Sequence, residues 1–139
     1  MVDKPKPSIP LPGASVRGSR SGAPIMALFD LLGRRWAMGV LWTASDIGPT
    51  TFRELQRRCE TISSAVLNAR LKDLQAAGFL VRTVSGYVVT PLGHRVVRDL
   101  LPFHATARIW ADTLAAADQS SAEDPDRGPR QAGGPDGRT

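Results

Sequence analysis

The sequence predicts a mostly α-helical domain that carries one small β-hairpin. Two observations predict it. Between residues 24 and 115, apolar residues recur at helical spacing in successive stretches, each bounded by a cap, a glycine or a proline. Late in that region two β-rich runs, FLVRTV and YVVT, flank the turn residues Ser85 and Gly86.

The elements follow in order. APIMALFDLLG (23–33) sets Ile25, Leu28, Phe29 and Leu32 at helical spacing and stops at Gly33. RRWAMGVLWTAS (34–45) reads as a buried helix with Trp36, Val40 and Leu41 as its stripe. DIGPT (46–50) is a turn. Thr51 to Glu54 form a capping box, in which a hydroxyl and a carboxylate three residues apart satisfy free amides, and they open a helix over 52–58. CETI (59–62) is a tight connection. Ser63 or Ser64 caps the next helix, which runs to about Ala77 and stops at Gly78. After the hairpin, Thr90-Pro91 is a cap followed by a proline at the first helical position. The helix from Leu92 is expected to kink or break at Pro102, which cannot donate a backbone hydrogen bond, leaving a last segment at 103–117. Two short helices on a tight turn, followed directly by a hairpin, make the winged helix-turn-helix pattern.

The helix at 63–77 is the chemically informative one. With Leu67 at zero and about 100° per residue, Leu71 and Leu74 fall within about 40° of it and form a core stripe. The opposite face holds Ala65, Ala69 and Ala76, with Asn68 and Lys72 beside them. Small side chains let a helix lie close to a surface, and the major groove is about 12 Å wide, enough to admit one. Asn suits adenine N6 and N7, and Lys suits guanine or phosphate. Ser63 and Ser64 at the helix start can meet phosphate through hydroxyls and free amides. Thr51, Arg53 and Arg82 are further backbone candidates, and Arg57 and Arg58 weaker ones. The bland alternatives are a solvated face for Asn68 and Lys72, capping for Ser63 and Thr51, and simple dipole complementarity for Arg57 and Arg58. Arg70 lies near the core stripe and reads as structural.

Charge and composition agree. The 139 residues carry a formal net charge of +5, with 42% hydrophobic residues, which favours an anionic partner and permits a core. Residues 24–115 form the expected domain. Residues 1–23, with Lys4, Lys6, Arg17 and Arg20 against Asp3, are expected to be a disordered basic arm, and 116–139 a disordered acidic tail. Cys59 alone makes an internal disulfide impossible, and a reducing cytoplasm fits. No apolar run reaches the roughly 18 residues of a membrane span, and the N-terminus does not read as a signal peptide. His94 and His104 make no metal spacing with Cys59. No catalytic motif or cofactor loop is present, so no cofactor and no enzymatic activity are expected. Trp110 and Leu114, with Val96, Val97, Leu100 and Leu101, add apolar surface beyond the needs of one small domain, which fits dimerisation.

LLGRRWAMGVLWTAS, FRELQRR, ISSAVLNARLKDLQAAGFLVR and YVVTPLG resemble, in that order, the HxlR-type winged-helix transcription regulators, relatives of the MarR group. The resemblance covers roughly residues 25–112. It implies a homodimer whose first and last helices form the interface, through Ile25, Leu28 and Phe29 of the first and Leu101, Trp110 and Leu114 of the last. It also implies a pseudo-palindromic operator in double-stranded DNA, read by helix 63–77 with the hairpin as wing; a small-molecule effector is left open. Two features depart from the family pattern. RSGAPIMALFD lacks the cysteine that some members use to sense oxidants or electrophiles, and the wing VRTVSGYVV is short. The competing readings are a winged helix that binds protein instead of DNA and an enzyme using Cys59.

Overall fold

The structure, a computed structural model, describes residues 9–122. Its elements are α1 (Pro24–Leu32), α2 (Ala37–Ile47), α3 (Phe52–Arg58), α4 (Ser64–Ala76), β1 (Leu80–Thr83), β2 (Gly86–Val89) and α5 (Pro91–Ala122). This is the expected order, mostly helical with one antiparallel hairpin. The chain divides after Leu100 into two units. The first holds α1 to β2 and the opening of α5. The second is the remainder of α5, whose described residues are all exposed.

The core of the first unit is built from the apolar stripes. Val40, Leu41, Leu55, Leu67, Leu71 and Leu74 are fully buried, and Leu31, Leu32, Phe79, Leu80, Tyr87 and Val89 close around them. Val96, Val97 and Leu100 of α5 are half-buried against this cluster. Each fully buried leucine removes enough apolar surface from water to stabilise the fold by roughly 1.5–3 kcal/mol.

Helix ends are fixed by local chemistry. Thr51 Oγ1 accepts from the Glu54 amide at 3.1 Å and starts α3. Ser63, of the two candidate serines, caps α4: its Oγ accepts from the Val66 amide at 3.2 Å. At the other end Gly78 has φ +81. The Phe79 amide donates to the Leu74 carbonyl and the Gly78 amide to that of Gln75, both at 3.0 Å. This paired closure needs a left-handed residue at Gly78, where glycine carries no Cβ penalty.

Four expectations are corrected. Helix α2 starts at Ala37 rather than residue 34, and runs on to Ile47. Arg34 to Trp36 instead form a turn, with Trp36 left-handed at φ 72 and its ring half-buried against the core. Such a backbone costs on the order of 1–3 kcal/mol, offset here by indole burial.

The hairpin turn is Val84-Ser85, not Ser85-Gly86, because Thr83 pairs with Gly86. Thr50 decides that register. Its amide donates to the Tyr87 carbonyl at 3.0 Å and its carbonyl accepts from the Tyr87 amide at 2.7 Å. A side chain at Gly86 would collide with the Thr50 backbone, so the glycine is needed within the strand, not at the tip.

Pro102 does not interrupt α5. The missing amide frees one carbonyl, that of Arg98, and both positions are exposed, so water satisfies it. The disordered ends are also revised. Residues 9–23 form bonded turns: Gly13 donates to the Gly22 carbonyl at 2.8 Å, Val16 and Ser19 pair, and Ile9 is buried in the core cluster. One apolar anchor and a closed set of backbone bonds offset the ordering entropy. The tail is helical as far as Ala122. Residues 1–8 and 123–139 of the expected arm and tail lie outside the described residues.

Candidate nucleic-acid interface

Helix α4 presents two chemically distinct sides. Leu67, Leu71 and Leu74 are fully buried, whereas Ser63, Ser64, Ala65, Asn68, Lys72 and Ala76 are exposed and Ala69 is half-exposed. The outward side thus has a low relief of alanines with one amide and one ammonium standing above it. Asn68 and Lys72 are one helical turn apart and share a face. Ser64 Oγ receives a hydrogen bond from Gln56 Nε2 at 2.9 Å, so α3 and the start of α4 are tied.

The wing and α3 meet in an open groove lined by Thr51, Phe52, Arg82, Thr83, Val84, Ser85, Gly86 and Tyr87. Two of the backbone candidates, Thr51 and Arg82, are brought together there. Arg82 is exposed, and its guanidinium carbon stands 5.6 Å from the centre of the Tyr87 ring. That stacking favours one place for the cation while leaving its N–H groups available. The wing turn is tightened by Thr83 Oγ1, which donates to the Gly86 carbonyl at 2.9 Å and accepts from the Ser85 amide at 3.2 Å.

On α3, Arg53 is exposed. Glu54 gathers the next two arginines, with contacts of 2.7 Å to Arg57 and 2.9 Å to Arg58. The hydrogen bonds from Arg57, then Arg58, hold the Glu54 carboxyl down at about 2, and the same pairing raises Arg57. Arg57 and Arg58 stay well exposed, so the pairing orients them without removing them from solvent. Cys59 is half-buried at the C-terminal cap of α3.

Several residues escape single-sequence reading. Gln56 has no signal that it reaches Ser64. Thr50 gives no sign of pairing with the wing. The ion pair of Arg34 with Asp73 joins residues 39 apart, a distance no local pattern covers. Arg70 is confirmed beside the core, its side chain 19% exposed and its Nε 3.6 Å from Asp73.

Residues 31–112, more than half of the chain, match the family described as HxlR-like helix-turn-helix. The chain belongs to the HxlR family. Its relatives include the uncharacterized HTH-type transcriptional regulator YybR of Bacillus subtilis, 26% identical over 98 residues that cover 68% of this chain and 78% of YybR. The uncharacterized HTH-type transcriptional regulator BH0655 of Halalkalibacterium halodurans is 34% identical over 53 residues, 38% of this chain and only 47% of BH0655. Among solved structures, quinone-bound YodB from B. subtilis superposes with a TM-score of 0.54 at 30% identity, covering 65% of this chain and 97% of YodB. The chain is therefore an HxlR-family helix-turn-helix transcriptional regulator, and α3–α4 with the β1–β2 wing lies inside the matched region. Among the described residues no helix is long and apolar enough to cross a membrane.

Proposed function

We propose that this HxlR-family regulator acts on a pseudo-palindromic operator in double-stranded DNA as a homodimer, each copy laying α4 in the major groove. Asn68 and Lys72 read base edges. Ser63, Ser64, Thr51, Arg53 and Arg82 take phosphates on either side, and Ala65 and Ala69 allow the close approach. The outer face of α4 carries this reading: its exposed side chains are small apart from Asn68 and Lys72, while its inner leucines are sealed in the core.

Dimerisation is supported by exposed apolar surface. Ile25 is 54%, Phe29 49%, Leu101 50%, Trp110 66% and Leu114 52% exposed, whereas Leu28 packs against the core. Phe103, Ala107, Trp110, Leu114 and Ala117 alternate four and three residues apart, the spacing of a helix-pairing seam. A second copy offers a matching surface by symmetry. The reading is of a cytoplasmic protein that regulates and does not catalyse. YodB in its quinone-bound form makes a small-molecule effector a natural part of it. No cysteine lies in the stretch just before α1 here, and Cys59 is the chain's one thiol, so such an effector would be held without a thiol adduct ahead of α1.

The test is binding to genomic fragments across a salt series. If a dimer neutralises about six phosphates, log K falls with log salt at a slope of about −5. A slope near zero, with a stable protein partner recovered in place of DNA, would replace this reading with a protein-binding winged helix.

A further inference from the structure

The reading helix is gripped by two polar ties, one on each side of its outer face. With Leu67 at zero and about 100° per residue, the reading face spans about 100° to 200°, Ser64 stands at about 60° and Asp73 at about 240°. Ser64 is bonded to Gln56 of α3 at 2.9 Å. Asp73 Oδ2 accepts from Arg34 Nη1, in the turn between α1 and α2, at 3.2 Å. The first tie acts at the start of α4 and the second near its end.

The Asp73 tie is sheltered. Its carboxylate is 13% exposed and the Arg34 side chain 29%. Arg70 Nε, buried and without a hydrogen-bond partner, lies 3.6 Å from the same carboxylate oxygen. One carboxylate therefore serves two half-buried guanidinium groups, and its loss would take a charge partner from both. The leucine stripe beneath is non-directional: contacts among Leu67, Leu71 and Leu74 and their neighbours tolerate small rotations of the helix. Directional polar ties on both flanks do not.

We propose that Asp73, acting through Arg34, is a positioning residue that sets the rotation of α4 and so aims Asn68 and Lys72 at the base edges. Gln56 on Ser64 forms the opposing jaw. The proposal rests on the DNA-binding reading above. A mis-rotated α4 would still meet phosphates through flexible cations but would lose base-edge geometry, so specificity falls while general affinity persists.

The experiment selects a site from random duplexes with the wild-type protein, then measures affinity for that site and for random duplex. The variants are Asp73→Asn, Arg34→Gln, the charge swap Arg34→Asp with Asp73→Arg, and Asp99→Asn. The last removes one exposed negative charge from α5 and controls for the charge change of Asp73→Asn. We expect Asp73→Asn and Arg34→Gln to lower the ratio of selected-site to random affinity roughly tenfold or more, the worth of a well-aimed base contact. For Asp73→Asn, random-duplex affinity and its salt slope stay as in Asp99→Asn, which makes the same charge change, and the charge-neutral swap restores part of the ratio. An unchanged ratio with a lowered melting temperature makes Asp73 purely structural and overturns the proposal. Equal losses on both duplexes also overturn it, since they signal less folded protein. A wild type that enriches no site overturns the DNA-binding reading itself, and the clamp with it.

Discussion

Asn68 is exposed on α4, one helical turn from Lys72. If it pairs with adenine, Asn68→Ala costs about 1–3 kcal/mol on the operator and little on random DNA; competition gel shifts separate the two. An equal loss on both would make it a backbone contact. Glu54 makes a different residue-level claim. Its ordinary carboxyl value of 4.5 is lowered to about 2 by Arg57 and Arg58. A depressed carboxyl contributes stability that is present above the unfolded value and is lost as pH falls towards the folded one. The stability from the Glu54 pairing is thus full across neutral and mildly acidic pH and is lost between about 4.5 and 2, the pairing itself breaking near the lower value. A carboxyl-carbon NMR titration should find its midpoint near the lower value. In the Arg57→Gln, Arg58→Gln double variant it should return towards 4.5.

At the scale of elements, what the sequence made legible is what local chemistry decides. The Thr51 and Ser63 caps, the Gly78 stop and the leucine stripe of α4 depend on side chains a few residues apart. The wing turn lies one residue before its expected place because Thr50, far from the hairpin in sequence, sets its register. The left-handed Trp36 was hidden because its cause is core packing, not turn composition. The Arg34–Asp73 pair depends on how α4 folds back against the α1–α2 turn, so only a three-dimensional structure reveals it. Two substitutions test the elements. Leu71→Ala removes a fully buried leucine and should cost about 2–5 kcal/mol in chemical unfolding. Gly86→Ala forces a methyl into the Thr50 backbone at φ 114. It should cost on the order of 1–3 kcal/mol and loosen the wing first. A Gly86→Ala protein as stable as wild type would mean that the Thr50 bridge is not kept in solution.

For the whole molecule, the open question is what covers the exposed apolar residues of α1 and α5. The proposed answer is a second copy. Leu114 is 52% exposed in the single chain, so Leu114→Glu should leave the domain's melting largely intact while sedimentation equilibrium shifts towards monomer. Affinity for a full palindrome should then fall to that for a half-site. A dimer unaffected by this charge would take α5 out of the interface. The arm is part of the same accounting: Ile9 is anchored in the core cluster, so residues 9–23 belong with the domain and not with a free tail.

The Thr50–Tyr87 bridge has a kinetic side. Thr50 adjoins the residue that caps α3, so the wing's inner strand and the start of α3 are bound through consecutive residues of one chain. The groove between them does not wait for a hinge to close. The amides of Thr50 and Tyr87 should exchange with solvent on the timescale of domain opening, while that of Val84, at the exposed tip of the turn, exchanges quickly. A duplex would then meet an edge already formed, and little of the binding energy would be spent on ordering it.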